Sequence, residues 1–179
     1  MRSLDLLLIT NPHGPLVLLL AGPGGWGLPH NAPPQAHWWQ VTTPVNQAAA
    51  HFGLVTTTMR CLRIVDDEQA NEARCYYGLE LRGEPGPTLE GQRWVSRADL
   101  ADLKLASAEQ REILDGWLSG PPSRVPWYNS GFAASTEIWA VEQLINLGQP
   151  PSGPVEQLRS WERSALWRVV STRAFRRWE

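Results

Sequence analysis

The chain has 179 residues, of which 42% are hydrophobic and 19% charged, a balance that supports a buried core and excludes an intrinsically disordered protein. The formal net charge is −2, so no global basic field exists to attract nucleic acid or an anionic membrane, and we expect neither as a partner. Cys61 and Cys75 are too few for a disulfide scaffold and form no C-x-x-C pair, so buried reduced thiols are expected.

The N-terminal residues predict a β-hairpin. Two apolar runs, at about 4–9 and 16–21, flank the turn Asn11-Pro12-His13-Gly14, and their continuity indicates strands that are buried on both faces. Both runs are far shorter than the ~20 residues of a membrane-spanning helix, and Asp5 interrupts the first. We therefore predict no export signal and expect a cytoplasmic protein.

A glycine-rich loop at 22–27 and a polar stretch to Gln40 precede the first predicted helix. A P-loop would need lysine and Ser/Thr after its last glycine, but Leu28-Pro29 follows, so the loop is interpreted as a structural turn. Thr43-Pro44 predicts the helix start, with threonine as N-cap and proline at the first helical position, and Gly53 predicts its end. The apolar residues at helical spacing between them are Val45, Ala48, Ala49 and Phe52.

Three strands and a second helix are predicted next. The strands are Val55–Val65, Ala73–Leu81 and Gln92–Val95, with an acidic turn between the first two. A capping box formed by Ser107 and Gln110 marks the start of the helix, and its apolar face consists of Ile113, Leu114, Trp117 and Leu118. The break at 119–123, Ser-Gly-Pro-Pro-Ser, is the best domain boundary, so we predict a domain at 1–118 and a linker at 119–130.

The last third of the chain predicts one more helix, Ala133–Leu147, followed by two short strands within 155–170. Gly148 and Pro150-Pro151 end the helix. Its apolar stripe, which is expected to face a core, consists of Ile138, Val141, Leu144 and Ile145. The chain ends in a basic, aromatic segment at 173–179.

Three sets of side chains are candidates for chemistry. The histidines (His13, His30, His37 and His51) contain no i, i+4 pair and do not form the three- or four-ligand set of a zinc site, so no metal is expected there. The acidic residues Asp66, Asp67, Glu68 and Glu72 are interpreted as a solvated turn, with a magnesium site as the alternative. Among the ten tryptophans, Trp38-Trp39 and Trp127 lie in predicted loops where they could stack on a base or a sugar, although packing explains most of them.

Two segments carry a resemblance to the Nudix family over about residues 4–118. Phe52-Gly53-Leu54 resembles the end of the catalytic helix in that family, and R-W-V-S-x-x-D-L, which begins at Arg93, resembles its strand-to-helix turn. The resemblance implies an α+β fold, a mixed sheet flanked by helices, here with a short C-terminal extension of helix and strands. It also implies a helix whose glutamates bind magnesium ions, which polarise a diphosphate and activate water.

The family box, G-x5-E-x7-R-E-U-x-E-E-x-G-U (U aliphatic), lacks its acidic residues in this chain. Aligned on Gly53, the paired glutamates fall on Ala50 and His51, the R-E pair on Asn46-Gln47, and the upstream glutamate on Trp38. A methyl group, an amide and an imidazole do not supply the ionised oxygens that magnesium requires. We therefore assign no catalytic residue, no metal and no cofactor, except magnesium in the event of a divergent hydrolase.

A second resemblance covers the C-terminal part. Pro126-Trp127-Tyr128, the following helix and residues 153–161 resemble the start of aminoglycoside phosphotransferase-like proteins that carry a Nudix-like region in front. This implies that 131–179 is a helix followed by the beginning of a kinase-like small lobe. The phosphate-binding lysine, the H-x-D loop and the metal-binding Asp of phosphoryl transfer are missing, so a truncated reading frame is expected.

The leading expectation is a non-catalytic, accessory Nudix-like domain of an aminoglycoside phosphotransferase-like protein, with a kinase-like domain as its partner in cis or in trans. The alternatives are a divergent Nudix-type hydrolase of nucleoside-diphosphate-linked substrates that uses the acidic turn, and a tryptophan-rich protein-interaction module. Trp38, Trp39 and the loop at 24–28 are expected to line the cleft. The complete set of candidate binding residues is Trp38, Trp39, Gln47, His51, Asp66 and Asp67.

Overall fold

The structure, a computed structural model, describes residues 2–11, 14–69 and 71–171. Pro12 and His13 of the predicted turn, and the C-terminal segment at 173–179, lie outside the described residues. Within the described ranges, no helix is long and apolar enough to cross a membrane. The strands are β1 (Arg2–Thr10), β2 (Val17–Gly22), β3 (Gly25–Gly27), β4 (His30–Asn31), β5 (Thr56–Asp67), β6 (Glu72–Leu81), β7 (Gln92–Val95), β8 (Glu156–Trp161) and β9 (Ser164–Arg168). The helices are α1 (Thr43–Ala50), α2 (Arg97–Asp102), α3 (Ala108–Ser119) and α4 (Phe132–Asn146), with a short 3₁₀ helix at Pro126–Tyr128.

Strands β1 to β7 form one mixed sheet. Its main path runs β3-β2-β1-β6-β5, while β4 pairs with β1 and β7 pairs with β2. Strand β1 runs parallel to β6 and antiparallel to β2, and β5 runs antiparallel to β6. The predicted N-terminal hairpin and the predicted α+β class, a mixed sheet flanked by helices, are confirmed.

The core lies on both faces of this sheet, with α1 on one face and α2 and α3 on the other. Successive side chains of a strand point to opposite faces, so the apolar run of β1 contributes to two clusters. Leu6 and Leu8 pack with residues of α2 and α3, whereas Leu7 and Ile9 pack with residues of α1. Burial of β1 on both faces confirms the interpretation of its continuous apolar sequence.

The first helix begins one residue earlier than its sequence pattern predicts. Its N-cap is Thr42 instead of Thr43, and the Thr42 side chain does not cap the helix. The Thr42 hydroxyl instead donates to the carbonyl oxygen of Gln157 at 3.0 Å, so a tertiary contact replaces the local one. The helix ends before Gly53, whose φ of +74° is the left-handed conformation that favours glycine.

The predicted capping box of α3 is only half formed. The Ser107 hydroxyl accepts from the backbone N–H of Gln110 at 3.1 Å, as predicted. The Gln110 side chain, however, accepts from the backbone N–H of Leu28 at 2.8 Å and so connects α3 to the end of the glycine-rich segment. A complete capping box is present at the start of α2, where Ser96 and Asp99 bond each other's backbone N–H groups.

Two predictions were wrong. Asp66 and Asp67 are not turn residues, because β5 continues through them in register with Ala73 and Glu72 of β6. The apolar stripe of α4 does not form part of either core cluster, and Val141 and Leu144 are only half-buried. Ile138 is 60% and Ile145 55% exposed.

The C-terminal strands β8 and β9 form an antiparallel hairpin, which confirms the two predicted strands. Strand β8 contacts the end of β5 that follows α1. Thr42 donates its N–H to the carbonyl of Leu158 at 3.1 Å, and Ser160 donates its N–H to the carbonyl of Gln40 at 3.0 Å. The predicted domain boundaries stay predictions, but the hairpin is joined by hydrogen bonds to residues of the predicted first domain.

Candidate functional site

The face of α1 that aligns with the Nudix box opens onto a groove. The groove has a volume of about 430 Å³ and lies between α1, the start of β5 and the β8–β9 hairpin. Gln47 and Ala50, which stand at two of the aligned glutamate positions, line it, while His51 is not among its lining residues. Phe52 and Leu54 pack against the core beneath α1, so the end of the helix is fixed relative to the sheet.

A buried polar network forms one wall of the groove. The Gln157 side chain accepts from the N–H of Thr58 at 3.0 Å and donates to the carbonyl of Thr58 at 2.7 Å. Asn46 lies 3.5 Å from the same glutamine side chain and accepts from the Thr58 hydroxyl at 2.8 Å. Gln157 is only 8% exposed, so these bonds replace water around the edge of β5. The network joins α1, β5 and β8 without any carboxylate.

The charged residues that line the groove are paired. Glu156 is the single carboxylate among the described lining residues, and Arg168 donates to it from Nε at 3.0 Å. Arg82 forms an ion pair with Glu137 of α4. Burial lowers the pKa of the Arg82 guanidinium, and the nearby Glu80 opposes that shift. The groove therefore presents amide and hydroxyl groups and compensated charges.

The residues at the box positions do not fit a magnesium ion. A hard divalent cation prefers several ionised oxygens, whereas Gln47, Ala50 and His51 offer an amide, a methyl group and an imidazole. Throughout the described part of the chain, no group of three or more His, Cys, Asp or Glu side chains is placed to hold a metal ion. No step of a metal-dependent hydrolysis can be assigned to these groups.

The other candidate binding residues lie apart from this groove and from each other. Trp38 is 77% exposed and lines a shallow cavity with Arg159, whereas Trp39 lines a cavity of about 520 Å³ with Arg60 and Tyr128. The predicted glycine-rich loop contains strand β3, and Trp26 is hydrogen-bonded to the chain between α2 and α3, on the sheet face opposite α1. The expected cleft of Trp38, Trp39 and the loop at 24–28 is therefore not formed.

Asp66 and Asp67 lie at the far end of β5. Asp66 lies eight positions after Thr58, which is beside α1, and this is about 25 Å along a strand. Asp67 faces Arg74 of the neighbouring strand, with 3.9 Å between the charged atoms. The acidic residues thus do not join Gln47 and His51 in one site.

A buried ion pair that the sequence analysis missed connects β1 to the loop before α1. His37 Nε2 lies 2.9 Å from Asp5 Oδ2, and the Asp5 side chain is completely buried. The hydrogen bond that His37 donates to the Asp5 carboxylate raises the pKa of His37, although burial opposes the shift. A lone carboxylate within the apolar run of β1 was the available signal, but nothing in the sequence identified its partner among the four histidines.

The two cysteines lie near this pair and are free thiols, as predicted, although they are only partly buried. Burial raises the pKa of Cys61 to about 12 and also raises the pKa of Cys75. Both thiols are therefore protonated at neutral pH, which makes them weak nucleophiles.

Comparisons with known proteins identify the fold. No family model matches the sequence, and no curated protein matches it. A Nudix hydrolase from Nitrosomonas europaea superposes with a TM-score of 0.52 at 14% identity, over 68% of this chain and 74% of that one. An ADP-ribose pyrophosphatase from Streptococcus suis superposes with a TM-score of 0.50 at 20% identity, over 69% of this chain and 93% of that one.

A third structure, a candidate oxidoreductase from Sinorhizobium meliloti, gives a TM-score of 0.50 at 19% identity and matches 65% of this chain. The match spans only 38% of that protein. Identities this low show a shared fold and not a shared activity. The chain has a Nudix-like fold, a mixed sheet flanked by helices, in which the helix that aligns with the Nudix box carries no glutamate.

Proposed function

We propose that the Nudix-like domain of this chain is a non-catalytic accessory domain whose box helix and adjoining strand hold the C-terminal hairpin. The observation that carries the proposal is the Gln157 network. In this chain the surface beside the box helix is joined to β8 by buried amide and hydroxyl hydrogen bonds. Buried polar bonds of this kind fix the position of one element relative to another, a role suited to a packing domain.

The loss of the acidic pattern supports the same proposal. Gln47 and Ala50 line the groove where the Nudix box would place glutamates, and the one carboxylate there is paired with an arginine. Magnesium-dependent attack on a diphosphate depends on a cation that neutralises the phosphate charge. A groove without free carboxylates is better suited to binding or packing than to magnesium-dependent hydrolysis of a diphosphate.

We extend the proposal to the identity of the partner. The β8–β9 hairpin occupies the segment that resembles the beginning of a kinase-like small lobe. A kinase-like domain, in cis or in trans, is then the body on which the Nudix-like domain packs. The test is to sequence the transcript beyond codon 179 and translate it in three frames. A kinase-like lysine, an H-x-D loop and a metal-binding Asp would support this extension, and a sequence without them would contradict the cis arrangement.

The absence of catalysis is tested by a gain-of-function control. The parent chain and a variant carrying Gln47→Glu, Ala50→Glu and His51→Glu are titrated with magnesium by calorimetry and assayed with ADP-ribose and nucleoside-diphosphate sugars. We expect the parent to bind no magnesium in the low-millimolar range, and the variant to gain binding because it restores three carboxylates to the box positions. Magnesium-dependent turnover by the parent would contradict the proposal.

A divergent hydrolase is the second candidate, because a Nudix hydrolase and an ADP-ribose pyrophosphatase share this fold. Its carboxylates would come from Asp66 and Asp67 at the far end of β5. An Asp66→Ala/Asp67→Ala variant that abolishes turnover of ADP-ribose would favour this candidate. Turnover that is unchanged in this variant but lost in Gln47→Ala would place the chemistry in the groove.

A further inference from the structure

A second cavity lies near the C-terminal end of α3, away from the groove beside α1. Its volume is about 630 Å³, which is within the usual range of small-molecule sites. The lining comes from β1, β5, α3 and the segment around the 3₁₀ helix, and it includes Thr10, Met59, Trp117, Ser123, Tyr128 and Ser130. The box positions of α1 do not contribute to it.

Arg60 is the only charged side chain among the described residues that line this cavity. Its guanidinium carbon lies 5.4 Å from the ring centroid of Trp117 and 5.4 Å from that of Tyr128. Two aromatic rings at this distance attract the cation and restrict the side chain, while the planar guanidinium carries its hydrogen-bond donors at its edge. An arginine fixed in this way binds a ligand at a smaller entropic cost than a flexible one.

Arg60 keeps an unused hydrogen-bond donor within the described part of the chain. Its Nε–H is buried and has no hydrogen-bond partner there. No described carboxylate lies within ion-pair distance of its guanidinium, whereas Arg63, three residues along β5, is paired with Glu112 at 2.9 Å. A buried donor without an acceptor is destabilising, and a guanidinium fork matches an oxyanion.

The nearby carboxylates are occupied or lie outside the cavity lining. Glu80 accepts from the Ser130 hydroxyl and from the N–H of Gly131 at 2.8 Å. Glu162 lines the neighbouring cavity that Arg60 also borders. Burial raises the pKa of Tyr128 to about 12, so its hydroxyl keeps its proton and can donate to a ligand.

We propose that this cavity is a binding site for a small oxyanion, with Arg60 as the residue that recognises a carboxylate or phosphate group. The aromatic and aliphatic lining from Trp117, Tyr128 and Met59 suits a ligand with an apolar body next to the anionic group. The inference goes beyond the proposed accessory function, because it does not depend on the box helix or on the hairpin.

The test uses three probes that each contain one phenyl ring: benzoate, phenyl phosphate and neutral benzamide. All titrations are run at the same ionic strength. Binding to the full chain is followed by the ¹H–¹⁵N signals of the arginine Nε–H groups, with the Arg60 signal identified by its loss in Arg60→Lys. We expect benzoate or phenyl phosphate to shift that signal saturably and benzamide to leave it unchanged. The anion that binds more tightly identifies the preferred group.

Matched variants separate recognition from general charge effects. Arg60→Gln should weaken binding of the preferred anion by about tenfold or more, because it removes charge-assisted hydrogen bonds. Arg63→Gln, on the same strand but outside this cavity, should leave the affinity unchanged. If Arg60→Gln fails to fold, the Nε–H titration of the parent chain and the affinity of Arg60→Lys decide the question. Equal binding of benzamide, no shift of the Arg60 signal, or equal weakening by Arg63→Gln would overturn the proposal.

Discussion

Helices α1 and α4 have similar apolar patterns and opposite environments. In α1, Val45, Ala48 and Ala49 are buried against the sheet. In α4, which is longer and more apolar, Ala133 is the buried residue, while Ile138 and Ile145 are more than half exposed. A helical apolar period shows that a helix has a face suited to burial, but it does not show which surface covers that face.

The neighbours of each helix explain the difference. Helix α1 enters from a segment bonded to β8 and lies on a sheet face that no other described helix covers. Helix α4 follows the 3₁₀ helix and contributes no residue to either core cluster. Its polar contacts with the sheet lie near its N-terminal end, where Gly131 donates to Glu80 and Arg82 pairs with Glu137. We expect these helices to respond very differently to the same change in sequence.

The largest effect is expected from a matched pair of charge insertions. Val45→Glu places a carboxylate in the core beneath α1 and should lower the free energy of unfolding by about 3 kcal/mol or more. Ile138→Glu places it on the exposed face of α4 and should lower that free energy by less than about 1 kcal/mol. Urea denaturation followed by circular dichroism measures both. Equal destabilisation would show that α4 is covered in solution and would remove the contrast.

A second pair of variants tests the helix on the opposite sheet face. A Cβ atom at Gly78 would lie 2.7 Å from the Trp117 ring, so Gly78→Ala should lower the free energy of unfolding by about 1–3 kcal/mol. Gly116→Ala, in α3 one residue before Trp117, meets no atom within 4 Å and should raise it by up to about 1 kcal/mol. Thermal unfolding of the two variants checks both signs. A neutral Gly78→Ala would indicate that Trp117 can move away from the sheet without cost.

The hairpin contact gives the third prediction. Gln157→Ala removes the bonds to the N–H and carbonyl of Thr58 and should lower the free energy of unfolding by about 1–3 kcal/mol. The Thr58 amide should also exchange its hydrogen faster, because its N–H loses the Gln157 side-chain acceptor. Gln143→Ala, on the exposed surface of α4, is the control and should change neither quantity. Unchanged exchange at Thr58 would contradict the role assigned to Gln157 in holding the hairpin.

The smallest effect concerns pH. Asp5 raises the pKa of His37 above its ordinary value of 6.5, so the folded chain binds this proton more tightly than the unfolded chain. The stability from the pair is therefore fully present below pH 6.5 and is lost as the pH rises through the folded pKa. The neighbouring Cys61, Cys75 and Tyr77 have raised pKa values and remain neutral in this range. A His37→Gln variant, compared with the parent by urea denaturation between about pH 5.5 and 9, should lose most stability at low pH, whereas a pH-independent difference would contradict the linkage.

Much of the fold was predictable because its signals are local. Strand β7 has the predicted bounds, and the turn into α2 was predicted as a strand-to-helix turn, although its complete capping box was not. Continuous apolar runs predicted that β1 and β2 are buried on both faces, and alternation of strand side chains accounts for it. The errors at Asp66 and at the stripe of α4 arose because pairing with β6 and the surroundings of α4 depend on residues distant in the chain.

The candidate site was predictable only in part. Alignment on Gly53 indicated Gln47 as a box position, and Gln47 does line the groove. Gln157 and Arg60 carried no sequence signal, because a glutamine in a strand and an arginine in a half-buried strand are ordinary on their own. Their roles depend on Thr58, which is 99 residues away from Gln157, and on the rings of Trp117 and Tyr128.

The sequence by itself determined the order of elements, the apolar strands of the sheet and the absence of glutamates from the box helix, because each depends on residues close together in the chain. The tertiary structure decided which helices are covered and where the C-terminal hairpin packs. It also decided that the Nε–H of Arg60 is buried without a hydrogen-bond partner in the described part of the chain. Those outcomes depend on contacts between distant segments, and a contact between two chain segments is specified by the shape and polarity of both.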